Sequence, residues 1–158
     1  LAQLSATSFS MLRQREAEQQ GVAKQIVAST LESIFAARDL GNTDGINNFA
    51  AINTTDNNSA GIFIPGWFPI RSDSGKDGVL GTADDTCAAG AGCTVGSYTN
   101  NSALVEGVER RIVITDIVET GVTVVKKRRV EITVRFFVGQ LQREQSTATI
   151  IADLPFYK

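Results

Sequence analysis

The sequence predicts an α+β fold, in which a long N-terminal α-helix packs on a C-terminal antiparallel β-meander and a long variable loop region lies between them. Three observations predict it. Residues 4–38 contain no proline and one glycine, Gly21, and are rich in alanine, glutamine, glutamate and arginine, all good helix formers. From Val108 onward the hydrophobic period changes to two, the repeat of a strand that buries one face. Between these regions asparagine, aspartate, glycine and serine crowd together, the composition of turns. At 158 residues the chain has the size of one domain, read here as helix (1–40), variable loop region (41–107) and sheet (108–158).

In the helix, Phe9, Leu12, Val22, Ile26, Ile34 and Ala37 keep one face, with Ser29 and Thr30 inside the stripe. Val27, Leu31 and Phe35 widen that stripe, so the second half is expected to be buried. Arg13 to Gln20 is polar all round, which suits a helix that emerges from its core and projects. Gly41-Asn-Thr-Asp-Gly45 then stops it, since glycine and asparagine accept the left-handed conformation found just beyond helix ends.

The loop region carries one apolar island, Gly61-Ile-Phe-Ile-Pro-Gly-Trp-Phe-Pro-Ile70. Pro65 and Pro69 keep it out of a central ladder, so it covers the sheet or forms an edge strand. Trp67 and Phe68 read as core aromatics or as a stacking platform. Three strands are expected after it, at Glu109–Val118, Gly121–Val138 and Gln145–Leu154, joined by hairpins at Glu119-Thr-Gly121 and Gly139–Glu144. In the middle strand Val130, Ile132, Val134, Phe136 and Val138 face one way, and Glu131, Thr133 and Arg135 the other. Ala148, Ile150, Ala152 and Leu154 are expected to form the matching apolar row of the last.

Composition narrows function. A net charge of −2 and a pI near 5.2 create no general field for nucleic acid or anionic membranes. No histidine is present, which removes the commonest general base and most zinc sites. Paired carboxylates such as Asp84 with Asp85, or Asp116 with Glu119, are too little on their own to predict catalysis, so no enzymatic activity is expected. No apolar run is long enough to span a bilayer. Cys87 and Cys93 bracket a run of small residues and are expected to form a local disulfide rather than a reactive thiol pair, which implies an oxidising compartment and export. The start at Leu1-Ala-Gln-Leu-Ser-Ala-Thr-Ser-Phe9 leads us to expect a preceding signal peptide or hydrophobic segment.

Local wording adds to this order of elements. Arg15-Glu-Ala-Glu-Gln-Gln-Gly-Val-Ala-Lys-Gln-Ile-Val-Ala-Ser-Thr-Leu-Glu-Ser-Ile-Phe-Ala-Ala-Arg38 resembles the helix that follows the membrane segment in minor pilins. Arg110-Arg-Ile-Val-Ile-Thr-Asp-Ile117 with Lys127-Arg-Arg-Val-Glu-Ile-Thr-Val134 is similar to the sheet of minor pilins related to the pilus-modification protein. The resemblance is to the type IV pilin-like family, including type II secretion pseudopilins, and covers nearly the whole chain. It implies a pilin-like fold and a structural subunit that helps assemble, prime or modify a filament. Its partners would be other pilins or pseudopilins and, through an N-terminal segment absent here, the inner membrane. The domain would lie in the periplasm or, in an assembled pilus, outside the cell. The alternative is a surface-displayed module at a filament tip that binds DNA or another ligand.

Two clusters are candidate sites. Asp73-Ser-Gly-Lys-Asp77-Gly78-Val-Leu-Gly-Thr-Ala-Asp84-Asp85 has the oxygen chemistry of a calcium loop. With Asp73 at position one, Asp77 falls at five, Gly78 at six, the Val79 carbonyl at seven and Asp84 at twelve, with Asp85 beside it. Gly75 at position three and an aspartate at twelve depart from an EF-hand, and the same residues also suit plain solvated turns. The second cluster, Lys126-Lys-Arg-Arg129, could contact DNA phosphates or could discourage edge pairing of an exposed strand. Asn53, Asn57 and Asn100 open glycosylation-like sequons.

Overall fold

The computed structural model describes residues 2–40, 49–57 and 60–153. The helix stop expected at Gly41–Gly45, the side chains of Phe9 and Leu12, and Leu154 lie outside the described residues.

Helix α1 runs over Ala2–Leu40, about 58 Å at the α-helical rise. Ala23, Val27, Thr30, Ile34 and Ala37 are buried at alternating four- and three-residue steps, which hold one straight seam against a neighbour. Upstream the same face turns polar. Among the described side chains before Ala23 none is buried, and Met11 is 64% exposed. Glu16 reaches the sheet through an exposed ion pair to Arg143 at 3.4 Å.

The sheet contains β1 (Phe68–Arg71), β4 (Leu104–Ile117), β5 (Lys127–Val138) and β6 (Leu141–Ala152) in the order β1-β4-β5-β6, every pair antiparallel. Strands β2 (Cys93–Val95) and β3 (Tyr98–Asn100) form a separate hairpin. Helix α1 packs across β5 and β6, so the molecule is an N-terminal helix on an antiparallel sheet. On β5, Val130, Ile132, Val134 and Phe136 enter the core, as the alternation predicts. Phe49, Ile52, Phe63 and Val79 from the loop region complete that core on the helix side. Gly81 marks the closest approach: its φ is +100°, and a Cβ there would lie 2.3 Å from the Ile112 side chain. The island from Gly61 does both things expected of it. Phe63 is fully buried, while Phe68–Arg71 forms the edge strand with Pro69 opposite Glu109.

Two expectations about the strands are corrected. The connection from β4 to β5 is the whole of 118–126, not a three-residue hairpin, because pairing of Ile117 with Lys127 leaves Val118, Val122 and Val124 unpaired and exposed. Strand β6 begins at Leu141, directly after a Gly139-Gln140 turn, and this register places its apolar row on the opposite face. Gln145, Thr147, Thr149 and Ile151 stand opposite Val134, Ile132, Val130 and Arg128 on the helix side. Ala148 and Ile150 point outward, with Ile150 61% exposed. A one-residue slip exchanges the two faces of a strand. Ser146-Thr-Ala-Thr149 is too weakly polarised to resist the register that the tight turn imposes.

Candidate functional site

The aspartate loop lies between β1 and β2, and its carboxylates separate into two groups. Asp85 turns inward and is fully buried. Its Oδ2 accepts a bond from Arg110 Nη2 at 2.8 Å, while Oδ1 accepts from the Gly81 and Thr82 amides at 2.8 and 2.9 Å. Arg110, itself buried, also donates to Thr30 Oγ1 on α1 and to Thr86 Oγ1. One ion pair thereby joins helix, loop and sheet. Asp85 is spent on this junction.

Asp77 and Asp84 converge instead on Thr82. The Thr82 hydroxyl lies 2.9 Å from Asp77 Oδ2, 2.7 Å from Asp84 Oδ1 and 3.2 Å from the Val79 carbonyl oxygen. A hydroxyl carries one proton, so it satisfies one of these three acceptors at a time. The remaining oxygens form an acceptor-rich pocket that suits a hard cation. Of the five residues expected to ligate calcium, Asp77, Val79 and Asp84 are thus brought together. Asp73 does not join the cluster around Thr82; its Oδ1 accepts from the Gly75 amide at 2.8 Å. Among the described residues no three histidine, cysteine, aspartate or glutamate side chains are grouped to hold a metal, so backbone and hydroxyl oxygens would supply the balance.

Charge follows this geometry. Burial pushes the Asp77 carboxyl up and the negative charges of Asp84 and Asp85 add to it, against hydrogen bonds from the Val79 amide and Thr82. Burial also acts on Asp84, but hydrogen bonds from the Thr82 hydroxyl and the Asp77 and Lys76 amides outweigh it and hold that carboxyl below its ordinary value. Two neighbouring acids are thereby driven apart. Gly75 permits the arrangement: its φ is +84°, and a Cβ there would lie 2.5 Å from the Asp84 carboxyl. Asn100 closes the loop by donating from Nδ2 to the carbonyls of Asp73 and Asp84 at 3.1 and 3.0 Å. The Leu80 amide donates to Ser33 Oγ at 2.8 Å and ties the loop to α1.

Beside the loop runs a groove of about 510 Å³, lined by Ile62, Ile64, Val95, Tyr98, Lys76 and the Asp77–Asp84 carboxylates among others. Desolvation and the charges of Asp73 and Asp84 push the Tyr98 phenol up.

Cys87 and Cys93 form the local disulfide, with Cα atoms 5.5 Å apart. The Arg71 guanidinium lies against it, donating to the Ser102 carbonyl at 2.7 Å and to that of Ala91, with Nε 3.2 Å from Cys93 Sγ. Lys126 to Arg129 does not form a continuous basic patch. Arg128 is buried, donates to the carbonyls of Phe49 and Ile52 and pairs with Asp116 at 2.7 Å. Lys126, Lys127 and Arg129 pair with Asp153, Glu119 and Glu131 at 2.8, 2.6 and 2.8 Å. Of the sequon asparagines, Asn53 and Asn100 are buried and hydrogen bonded, and Asn57 is exposed.

The roles of Thr82, Ser33 and Arg110 were not legible in the sequence, and Asn100 stood out there only as a sequon asparagine. Only the β2–β3 hairpin that carries Asn100 left a local signal, the Gly96-Ser97 pair between Val95 and Tyr98. No protein family, curated protein or solved structure matches the chain.

Proposed function

We propose that this chain is a structural, non-enzymatic subunit of a type IV pilin-like filament, a minor pilin or pseudopilin that takes part in assembling, priming or modifying a pilus or type II secretion filament. The observation that carries this reading is the division of α1. Its C-terminal half buries a seam from Ala23 to Ala37 against the sheet, while the described side chains of its N-terminal half are exposed or half-buried, with Glu16 paired to Arg143 of β6. A helix needs tertiary contacts to hold such an extension, and packing among neighbouring subunits supplies them. No described helix is long and apolar enough to cross a membrane. The inner-membrane anchor of this reading is a separate hydrophobic segment.

The disulfide supports export, since such bonds persist in oxidising compartments. In the same reading Asp77, Asp84 and the Val79 carbonyl hold a calcium ion that stiffens the loop against α1 through Leu80 and Ser33. The test is the encoded sequence upstream of Leu1, together with the content of sheared surface filaments. We expect about twenty apolar residues behind a short basic leader, and the subunit in the filament fraction. An ordinary cleaved signal peptide, with the protein absent from filaments, would overturn the proposal.

A further inference from the structure

Among the described residues, the outer face of the sheet, away from α1, holds one cation with no carboxylate against it. On β4, β5 and β6 every lysine and arginine except Arg111 has a carboxylate within 3.4 Å. Arg111 Nε is the one buried side-chain nitrogen or oxygen without a hydrogen-bond partner among the described residues. Its guanidinium stacks instead on the Trp67 ring, 4.9 Å from the centroid. A second guanidinium, Arg135, lies 4.3 Å from the same centroid, but Glu109 neutralises it.

A cation–π contact offsets part of the cost of partly burying a guanidinium, yet supplies no acceptor for its in-plane N–H groups. The orphan Nε is enclosed by the protein, so an incoming acceptor would engage the two Nη groups at the end of the guanidinium. We propose that Arg111, braced on Trp67, is a docking point for a single carboxylate, an acidic side chain on the surface of a protein partner.

The surroundings select that chemistry. Strand pairing places Thr133 and then Ser146 in register beside Arg111, so hydroxyls continue the row across β5 and β6. The rows on either side carry Glu109, Glu144 and Glu131. A polyanion laid across this face would bring its second phosphate against one of these glutamates. One isolated carboxylate meets only the guanidinium fork, whose geometry accepts it in two parallel bonds. The Trp67 ring offers apolar surface to the stem of that acidic side chain.

Trp67 is the only tryptophan of the chain, so its emission reports on this site alone. The full chain is titrated at low salt with acetyl-Ala-Glu-Ala-amide, with the glutamine analogue and with a short oligothymidylate. We expect a saturable change with the glutamate peptide, at least about ten-fold weaker with the glutamine analogue and in an Arg111→Gln variant that melts at the wild-type temperature. Arg129→Gln, on the same face but paired with Glu131, should titrate as wild type. Equal responses to the two peptides, an unchanged Arg111→Gln, or saturation by oligothymidylate alone would each overturn the proposal. Should Arg111→Gln fail to fold, Arg111→Lys keeps the charge without the fork and should bind several-fold more weakly; wild-type binding would refute the docking geometry. The readout does not depend on assembly, so its failure leaves the filament proposal standing.

Discussion

Replacing Asp85 by asparagine tests whether the Arg110–Asp85 junction holds helix, loop and sheet together. The variant keeps the shape and an Oδ1 acceptor for the Gly81 and Thr82 amides, and replaces the charged acceptor facing Arg110 with an NH2 donor. The Arg110 and Asp85 side chains are 4% and 0% exposed, so water cannot replace the lost partner. The Thr30 and Thr86 hydroxyls that remain near the guanidinium carry no charge. An unpaired buried charge of this kind costs about 3–5 kcal/mol. At roughly 2–4 °C per kcal/mol for a domain of this size, melting should fall by about 6–20 °C. The comparison is Glu119→Gln, which breaks the exposed Lys127–Glu119 pair and should cost no more than about 1 kcal/mol. Urea unfolding of both variants gives the two free energies at matched slope. Adding Arg110→Met to Asp85→Asn removes the stranded charge and should recover part of the loss. If Asp85→Asn costs the same as Glu119→Gln, or if Arg110→Met recovers nothing, the junction is not what couples the three elements.

Calcium should raise the melting temperature of the wild type, by about 2.7 kcal/mol of stability at a hundred-fold excess over Kd, and chelator should reverse it. Asp77→Asn should abolish this response, and a calcium shift that survives in it refutes the site. Without calcium the sign for Asp77 runs the other way. Its raised pKa favours the protonated native state, a contribution present below the unfolded value and lost as pH rises through the folded one. Asp77→Asn should therefore melt no lower than wild type at neutral pH without calcium. For Asp84, with its lowered pKa, stability is present above the unfolded value and lost as pH falls through the folded one, and Asp84→Asn should flatten that acid limb. On α1, Ile34→Ala should cost about 2–5 kcal/mol in denaturant titrations, while Met11→Ala in the isolated chain stays within about 0.5 kcal/mol. Similar costs for the two would contradict the division of the helix. On β6, Ile151→Ala should be similarly severe and Ile150→Thr close to neutral; the reverse order would mean that the register is slipped by one residue.

The sequence by itself determined the elements whose information is local. Absence of proline with a three-and-four apolar spacing marks α1 and the Thr30–Ile34–Ala37 part of its seam, because a helix repeats within its own turns, whereas Val22, expected on that face, is 42% exposed and Ala23 takes the buried place. Strict alternation from Val130 to Phe136 marks the inner face of β5, because a strand repeats every second residue. The closeness of Cys87 and Cys93 suffices for their pairing, since the short small-residue chain between them keeps the ends near each other.

Tertiary structure decided what depends on partners far along the chain. The face of β6 follows from the Gly139-Gln140 turn, since Ser146-Thr-Ala-Thr149 expresses no strong preference of its own. Arg110 and Arg128 read as surface charge, yet both are buried, one on Asp85 and Thr30 and the other on carbonyls of Phe49 and Ile52. Of the five residues read as a calcium loop, Asp77, Val79 and Asp84 converge on Thr82, while Asp85 pairs with Arg110 and Asp73 accepts from Gly75. Periodicity shows which residues share a face. Which long polar side chain meets which acceptor is set by strand register and loop closure, where a single residue's shift exchanges core for solvent.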